Sequence, residues 1–273
     1  MARRYVFLIL ALAIVIPLLK PIGFKINAGE NVIKLFQFIE KLPRNSRIYL
    51  SFDYDPSSMP ELHPAAVALI VHSLRLGHRP ICSANWPLGG EMAEVALKKA
   101  VQLCGSGTKV VDGINYSNLG FQPGVLSKIK VMCNDFLSLY QADKSGKSTS
   151  GMPIFETGKT EKMTLKDFSL IVSFSAGPAG LSAFIATSGE HGVPVAGGCT
   201  SVSIPDYITF IQTGQLVGLI GGMPGSAEYE SLIGIVSDAT KSMDSQSMAH
   251  LAIILLIIAG NIIQYKKRGS VNV

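Results

Sequence analysis

Six times along the chain a short apolar run gives way to a loop of small and polar residues, and then to a longer segment with helical spacing. The apolar runs are residues 47–52, 80–84, 108–111, 168–174, 193–196 and 216–220. Leu170-Ile171-Val172 and Val217-Gly218-Leu219-Ile220 show no polar alternation, as expected of strands buried on both faces. The intervening helices are expected over 60–76 (starting at Pro60 or Pro64), 91–104, 125–141, 181–190, 205–213 and 226–241. An amphipathic helix over 28–42 precedes them, with Val32, Leu35, Phe36, Ile39 and Leu42 on one face. Strands alternating with helices predict an α/β fold: a doubly wound, mostly parallel, Rossmann-like sheet of about six strands. Residues 142–163, rich in Lys, Ser, Gly and Thr, read as a mobile surface insertion.

Two stretches break the alternation. Residues 5–19 are apolar apart from Tyr5, and 248–263 carry only His250 and Asn261 as strongly polar residues. Together they raise the mean hydropathy to +0.35. A helix crossing the roughly 30 Å hydrocarbon core needs about 20 apolar residues. The first stretch is short, and Pro21, Ile22 and Phe24 would extend it. Leu18-Leu19-Lys20-Pro21 is a poor cleavage site, so a signal anchor is expected rather than a removed signal peptide. The expected organisation is an N-terminal transmembrane anchor (1–24), an α/β domain (25–245), a C-terminal transmembrane helix (246–265) and a basic cytoplasmic tail (266–273).

Charge sharpens this picture. The net charge is +5, but six of the 24 cations flank the apolar stretches: Arg3, Arg4, Lys20, Lys266, Lys267 and Arg268. The middle of the chain keeps 18 cations against all 19 carboxylates and has no basic field for a nucleic acid. By the positive-inside rule both termini would face the cytoplasm and the α/β domain the other side, although Lys20, Lys25 and Lys34 weaken the bias. Cys82, Cys104, Cys133 and Cys199 show no metal-ligand spacing; one or two disulfides and four free thiols both remain open.

In open α/β sheets, ligands bind beyond the carboxyl ends of the strands. The loops there supply Ser57, Ser58, Gly89, Gly90, Glu91, Tyr116, Asn118, Ser175, Gly177, Thr200, Gly221, Gly222 and Glu228 as binding candidates, with Glu230 nearby. Asp53, Asp55, Glu61 and His63 are the catalytic candidates. Glycines let backbone N–H groups approach a ligand, and helix N-termini favour anions, so a small polar ligand suits this edge. Ser173-Phe-Ser175-Ala-Gly177 is hydroxyl-rich but is not a G-x-S-x-G nucleophile elbow. The loop Asp53-Tyr54-Asp55-Pro56-Ser57 resembles the Asp-x-Asp loop of haloacid-dehalogenase-like phosphohydrolases. That resemblance covers this loop alone. It implies one aspartate as nucleophile, the other as general acid, and a bound Mg²⁺. The acidic pair of that family after the fourth strand has no counterpart, since Ser173–Gly180 holds no carboxylate. The bland role for Asp53 and Asp55 is to order the turn or cap the next helix.

Two function classes follow. The first is a membrane-anchored binding or assembly module, whose partners are the lipid bilayer and a small ligand, a membrane protein or further copies of the chain. The second is an extracytoplasmic hydrolase or transferase, carboxylate- or metal-dependent, built on Asp53, Asp55 and Glu61. No cofactor is indicated. What separates them is whether Asp53, Asp55, Glu61, His63 and Glu91 converge.

Overall fold

Five of the six apolar runs become strands because they can be buried from both sides. The computed structural model describes residues 3–24, 26–105, 109–156, 158 and 162–269. In chain order the elements are α1 (Arg3–Leu19), α2 (Glu30–Glu40), β1 (Arg47–Asp53), α3 (Met59–Arg75), β2 (Arg79–Ala84), α4 (Gly89–Cys104) and β3 (Ser117–Phe121). They continue as α5 (Val125–Asn134), α6 (Phe136–Leu139), β4 (Leu170–Ser175), α7 (Leu181–Ala186), α8 (Ser188–His191) and β5 (Val195–Cys199). The last are α9 (Ile204–Gln212), β6 (Leu219–Gly221), α10 (Gly222–Leu232) and α11 (Asp238–Gly269). The six strands form one sheet in the order β3-β2-β1-β4-β5-β6, and every pairing is parallel. The chain winds outward from β1 to β3 and returns beside β1 as β4. The topological switch point therefore lies between β1 and β4.

Alternate residues of each strand enter separate cores. Ile48, Leu50 and Phe52 pack with α2, α3, α4 and Tyr229 of α10. Tyr49, Ile81, Ile171, Val195 and Leu219 pack with α5, α6, α7 and Tyr207 of α9 on the opposite face. The doubly wound α/β expectation holds. Its third strand does not: among residues 109–111 there is no strand, Thr108 lies outside the described residues, and β2 instead pairs with Ser117–Phe121. An edge strand needs only one neighbour, so this polar segment can serve. The helix expected over 125–141 is broken at Asp135, whose extended backbone and side chain cap a new start by accepting from Ser138 N. In the segment expected as a mobile insertion, Ile154, Phe155 and Met163 are buried; residues 157 and 159–161 lie outside the described part.

Two membrane spans were expected. Among the described residues one helix, α11, is long and apolar enough to cross a membrane, and none of its most apolar stretch is buried. α1 is apolar but stops at Leu19. The extension expected through Pro21, Ile22 and Phe24 does not form. Instead the N–H groups of Ile22, Gly23 and Phe24 donate to the Asp244 carboxylate at 2.8, 2.8 and 3.3 Å.

The path of α11 can be read from its contacts. Glu230, near the end of α10, accepts hydrogen bonds from the N–H groups of Ser237, Ala239 and Thr240. Asp238 pairs with Lys99, well down α4. Ser242 then lies beside Pro56 of the loop after β1, Met59 at the start of α3 and Met223 at the start of α10. The helix thus climbs toward the carboxyl edge of the sheet, and its residues beyond about Asp244 project past that edge. α1 packs along it in the antiparallel sense: residues 22–24 meet Asp244, while Val6 and Leu10 share a groove with Ile253, Ile257, Gly260 and Ile263.

Candidate functional site

At the switch point the strand ends carry a buried polar cluster. Ser83, Ser51 and Ser173 stand side by side across β2, β1 and β4, in register. Two residues on, the Asp53 carboxylate receives three hydrogen bonds: Ser51 Oγ at 2.9 Å, Asn85 N at 2.8 Å and Ser173 Oγ at 2.8 Å. Burial raises the Asp53 carboxyl above the usual carboxylate range, opposed by the Lys128 charge and these donors. Lys128 is itself buried, and donates to Ala84 O at 3.1 Å and Ser83 Oγ at 3.3 Å. Ser83 continues to Tyr49 and Tyr140 through hydroxyl contacts of 2.9 and 2.7 Å.

This cluster is sealed rather than open. The backbone at Gly180 lies against Asp53, where a Cβ would collide with the carboxylate, and Gly89 lies against the Phe52 carbonyl and Ala84 in the same way. Gly89 and Gly90 were expected to offer N–H groups to a ligand. Here they allow α4 to close on the strand ends, Gly90 against Gly120. Lys128, Asn85, Ser51, Ser83 and Tyr140 were not among the expected site residues. Lys128 could have been found from spacing, since it shares the buried face of α5 with Ile129 and Met132.

The catalytic candidates each have separate partners. Asp53 is held as above. Asp55 turns back on its own loop, accepting from Ser57 N at 3.0 Å and Ser57 Oγ at 2.5 Å. Glu61 accepts from Ser201 N at 2.7 Å. Glu91 pairs with Lys144 at 3.1 Å. His63 is buried; its Nδ1 lies 3.0 Å from the Tyr54 hydroxyl and its Nε2 has no partner. Among the described residues no three His, Cys, Asp or Glu side chains are grouped as metal ligands. The Mg²⁺ site implied by the phosphohydrolase resemblance is therefore not matched by these residues.

The binding candidates fall into separate groups along one edge. At the β3 end, Asn118 donates to Gly90 O, and a cleft of about 370 Å³ is lined by Glu94, Lys98, Asp112, Tyr116, Asn118, Asp143 and Lys144. Its charges largely satisfy one another: Lys144 and Lys98 bond Glu94 and hold its carboxyl down at about 2. Near the centre, Ser175 Oγ donates to Gly177 O at 2.6 Å. Toward β6 a second cleft of about 320 Å³ includes Ser201, Gly221, Pro224 and Glu228, whose carboxylate accepts from Gly29 N. Gly222 sits against Ser201 and Glu61, and Thr200 bonds Ser203 at 3.1 Å. Ser58 stands at the α3 N-cap without a side-chain bond, next to Ser57 on the first loop. Glu230 lies away from the edge, buried and bound to the start of α11. No protein-family model matches the chain, and no curated protein matches it at a significant level.

Proposed function

We propose that the chain is a membrane-anchored α/β binding module, with α1 and α11 as a paired anchor and the carboxyl-edge loops as its working surface. The observation that carries this reading is the joint exit of the two apolar helices from that edge. Both helices carry exposed aliphatics, among them Leu8, Leu12, Ile254 and Ile258. Such a surface is stable in lipid and costly in water. With 17 residues, α1 sits at the lower length for a span, and pairing with the longer α11 compensates.

The antiparallel pairing puts both chain ends at the far end of the hairpin. The flanking cations then favour cytoplasmic termini and an α/β domain on the opposite side. The working surface suits a small polar ligand, a partner protein or a second copy of the chain. The hydrolase alternative has no geometric support in this arrangement, because Asp53, Asp55 and Glu61 each have separate partners.

The test is alkaline carbonate extraction of membranes from cells expressing the full chain, paired with protease treatment of intact cells. The expected result is retention in the membrane pellet and cleavage within the α/β domain from outside. Retention should be lost in an Ile254→Glu/Ile258→Glu variant. Release of the native chain by carbonate would overturn the anchor.

A further inference from the structure

We infer that the carboxyl edge of the sheet is a lipid-docking surface, seated at the boundary between headgroups and acyl chains. This rests on the anchor reading above and adds the orientation and partner of the domain's working face. Parallel strands place all six strand-to-helix loops on one edge, and α1 and α11 leave the domain from that same edge. Tethering of this kind holds the loops next to whatever surface takes the helices.

Those loops carry the apolar residues that docking needs. Outside α1 and α11, five large hydrophobic residues are exposed on or just after them: Trp86 and Leu88 after β2, Phe121 and Leu126 around the end of β3, and Val202 after β5. Val202 is 86% exposed, so its side chain adds almost nothing to the core. The other exposed large hydrophobics of the domain, such as Val95, Ile114 and Val236, are scattered over its flanks and its opposite edge. Indole rings favour the membrane–water boundary, where the ring is apolar and the N–H stays wet.

Charge selects the kind of surface. Residues 53–61, 84–91, 121–124, 175–180, 199–205 and 221–226 include no Lys or Arg. The opposite edge has Lys41, Arg44, Arg47, Arg75, Arg79 and Lys166. The carboxylates of the docking loops are bound within the protein: Asp53 to serines, Asp55 to Ser57, Glu61 to Ser201 N and Glu91 to Lys144. Asp206, just beyond Val202, remains exposed. These loops offer anionic lipid no cation of their own, and Lys144 beside them is engaged by Glu91 and Glu94, so docking through the loops is apolar and needs no anionic headgroup.

Trp86 is the only tryptophan of the chain, so its fluorescence reports on this edge alone. The full chain would be reconstituted in phosphatidylcholine vesicles brominated either near the glycerol end or near the tip of the acyl chains. Docking predicts co-flotation, a blue-shifted Trp86, and quenching at least twofold stronger from the shallow bromines. Replacing part of the neutral lipid by phosphatidylserine should not strengthen it. A Leu88→Asp/Val202→Asp variant should co-float equally and lose at least half of the quenching. If the native chain co-floats but Trp86 is unquenched with water-like emission, docking is refuted and the anchor stands. Shielding of Trp86 that ignores bromine and disappears on diluting the protein in lipid would assign the surface to a second copy and refute lipid docking. Failure of the native chain to float would refute the anchor, and docking with it.

Discussion

Asp53 sits under opposing influences: three donors and a nearby lysine favour its charge, while burial opposes it. Replacing it by Ala would leave the Asn85 N–H and the Ser51 and Ser173 hydroxyls without their acceptor, which should cost about 2–4 kcal/mol. Asp53→Asn keeps one accepting oxygen and removes the buried charge, so it should cost less. The sign with pH follows from the raised carboxyl: the folded state favours the protonated form, and the native chain loses stability as pH rises through that pKa. The Asn variant should therefore gain on the native chain across that window, as read by urea unfolding in detergent. His63 works in the other direction. Burial, followed by the Lys99 charge, lowers its pKa to about 4. The folded state keeps it neutral; that contribution is complete above the ordinary value of about 6.5 and is lost as pH falls through about 4, with an amplitude of about 3 kcal/mol. His63→Leu should flatten this part of the stability profile. An unchanged slope between pH 6.5 and 4 would show that His63 is not the group responsible.

At the scale of elements, apolar runs with a neighbour on each side were legible, and each exception has an identifiable cause. β1, β2 and β4 were readable because Tyr49-Leu50, Ile81-Cys82 and Ile171-Val172 are buried from both faces. β3 was not, because Ser117-Asn118-Leu119-Gly120-Phe121 has the polarity of a loop and pairs on one side only. The break between α5 and α6 was hidden by continuous helical spacing through Ile129, Met132 and Phe136; the signal was Asp135, a capping residue inside that run. The end of α1 was missed because Ile22 and Phe24 look like more of the same apolar helix. Their backbone is instead claimed by Asp244, more than two hundred residues away, a long-range bond no local pattern reveals. Asp244→Ala should leave these N–H groups unpaired and cost about 1–3 kcal/mol. It should also raise amide exchange at residues 22–24 without altering that of β1. Equal exchange in both variants would show that the carboxylate does not hold the junction.

On the scale of the whole molecule, the alternation of strands and helices was enough to find the layers and the edge where polar loops gather. It was not enough to find a site, because an edge of six strands at about 4.8 Å spacing is roughly 24 Å wide. Asn118 on one outer strand and Glu228 beyond the other cannot touch one small ligand, though both belong to the carboxyl-end loops. The sheet also decides the fate of the cysteines, which the sequence left open. Cys82 lies in the core on one face and Cys199 in the core on the other, so the sheet itself stands between them. Cys104 packs on the first face and Cys133 on the second, and all four are free thiols. Burial raises the pKa of each, most strongly for Cys82 and Cys199, which keeps them protonated and poorly nucleophilic. The folded chain should therefore react with a maleimide at no more than Cys104 and Cys133, whose side chains are half-buried, whereas four thiols should react in denaturant without reductant. Reductant should leave the unfolding midpoint unchanged. A midpoint that falls on reduction, or fewer than four thiols in the unreduced denatured chain, would mean that a disulfide holds the fold.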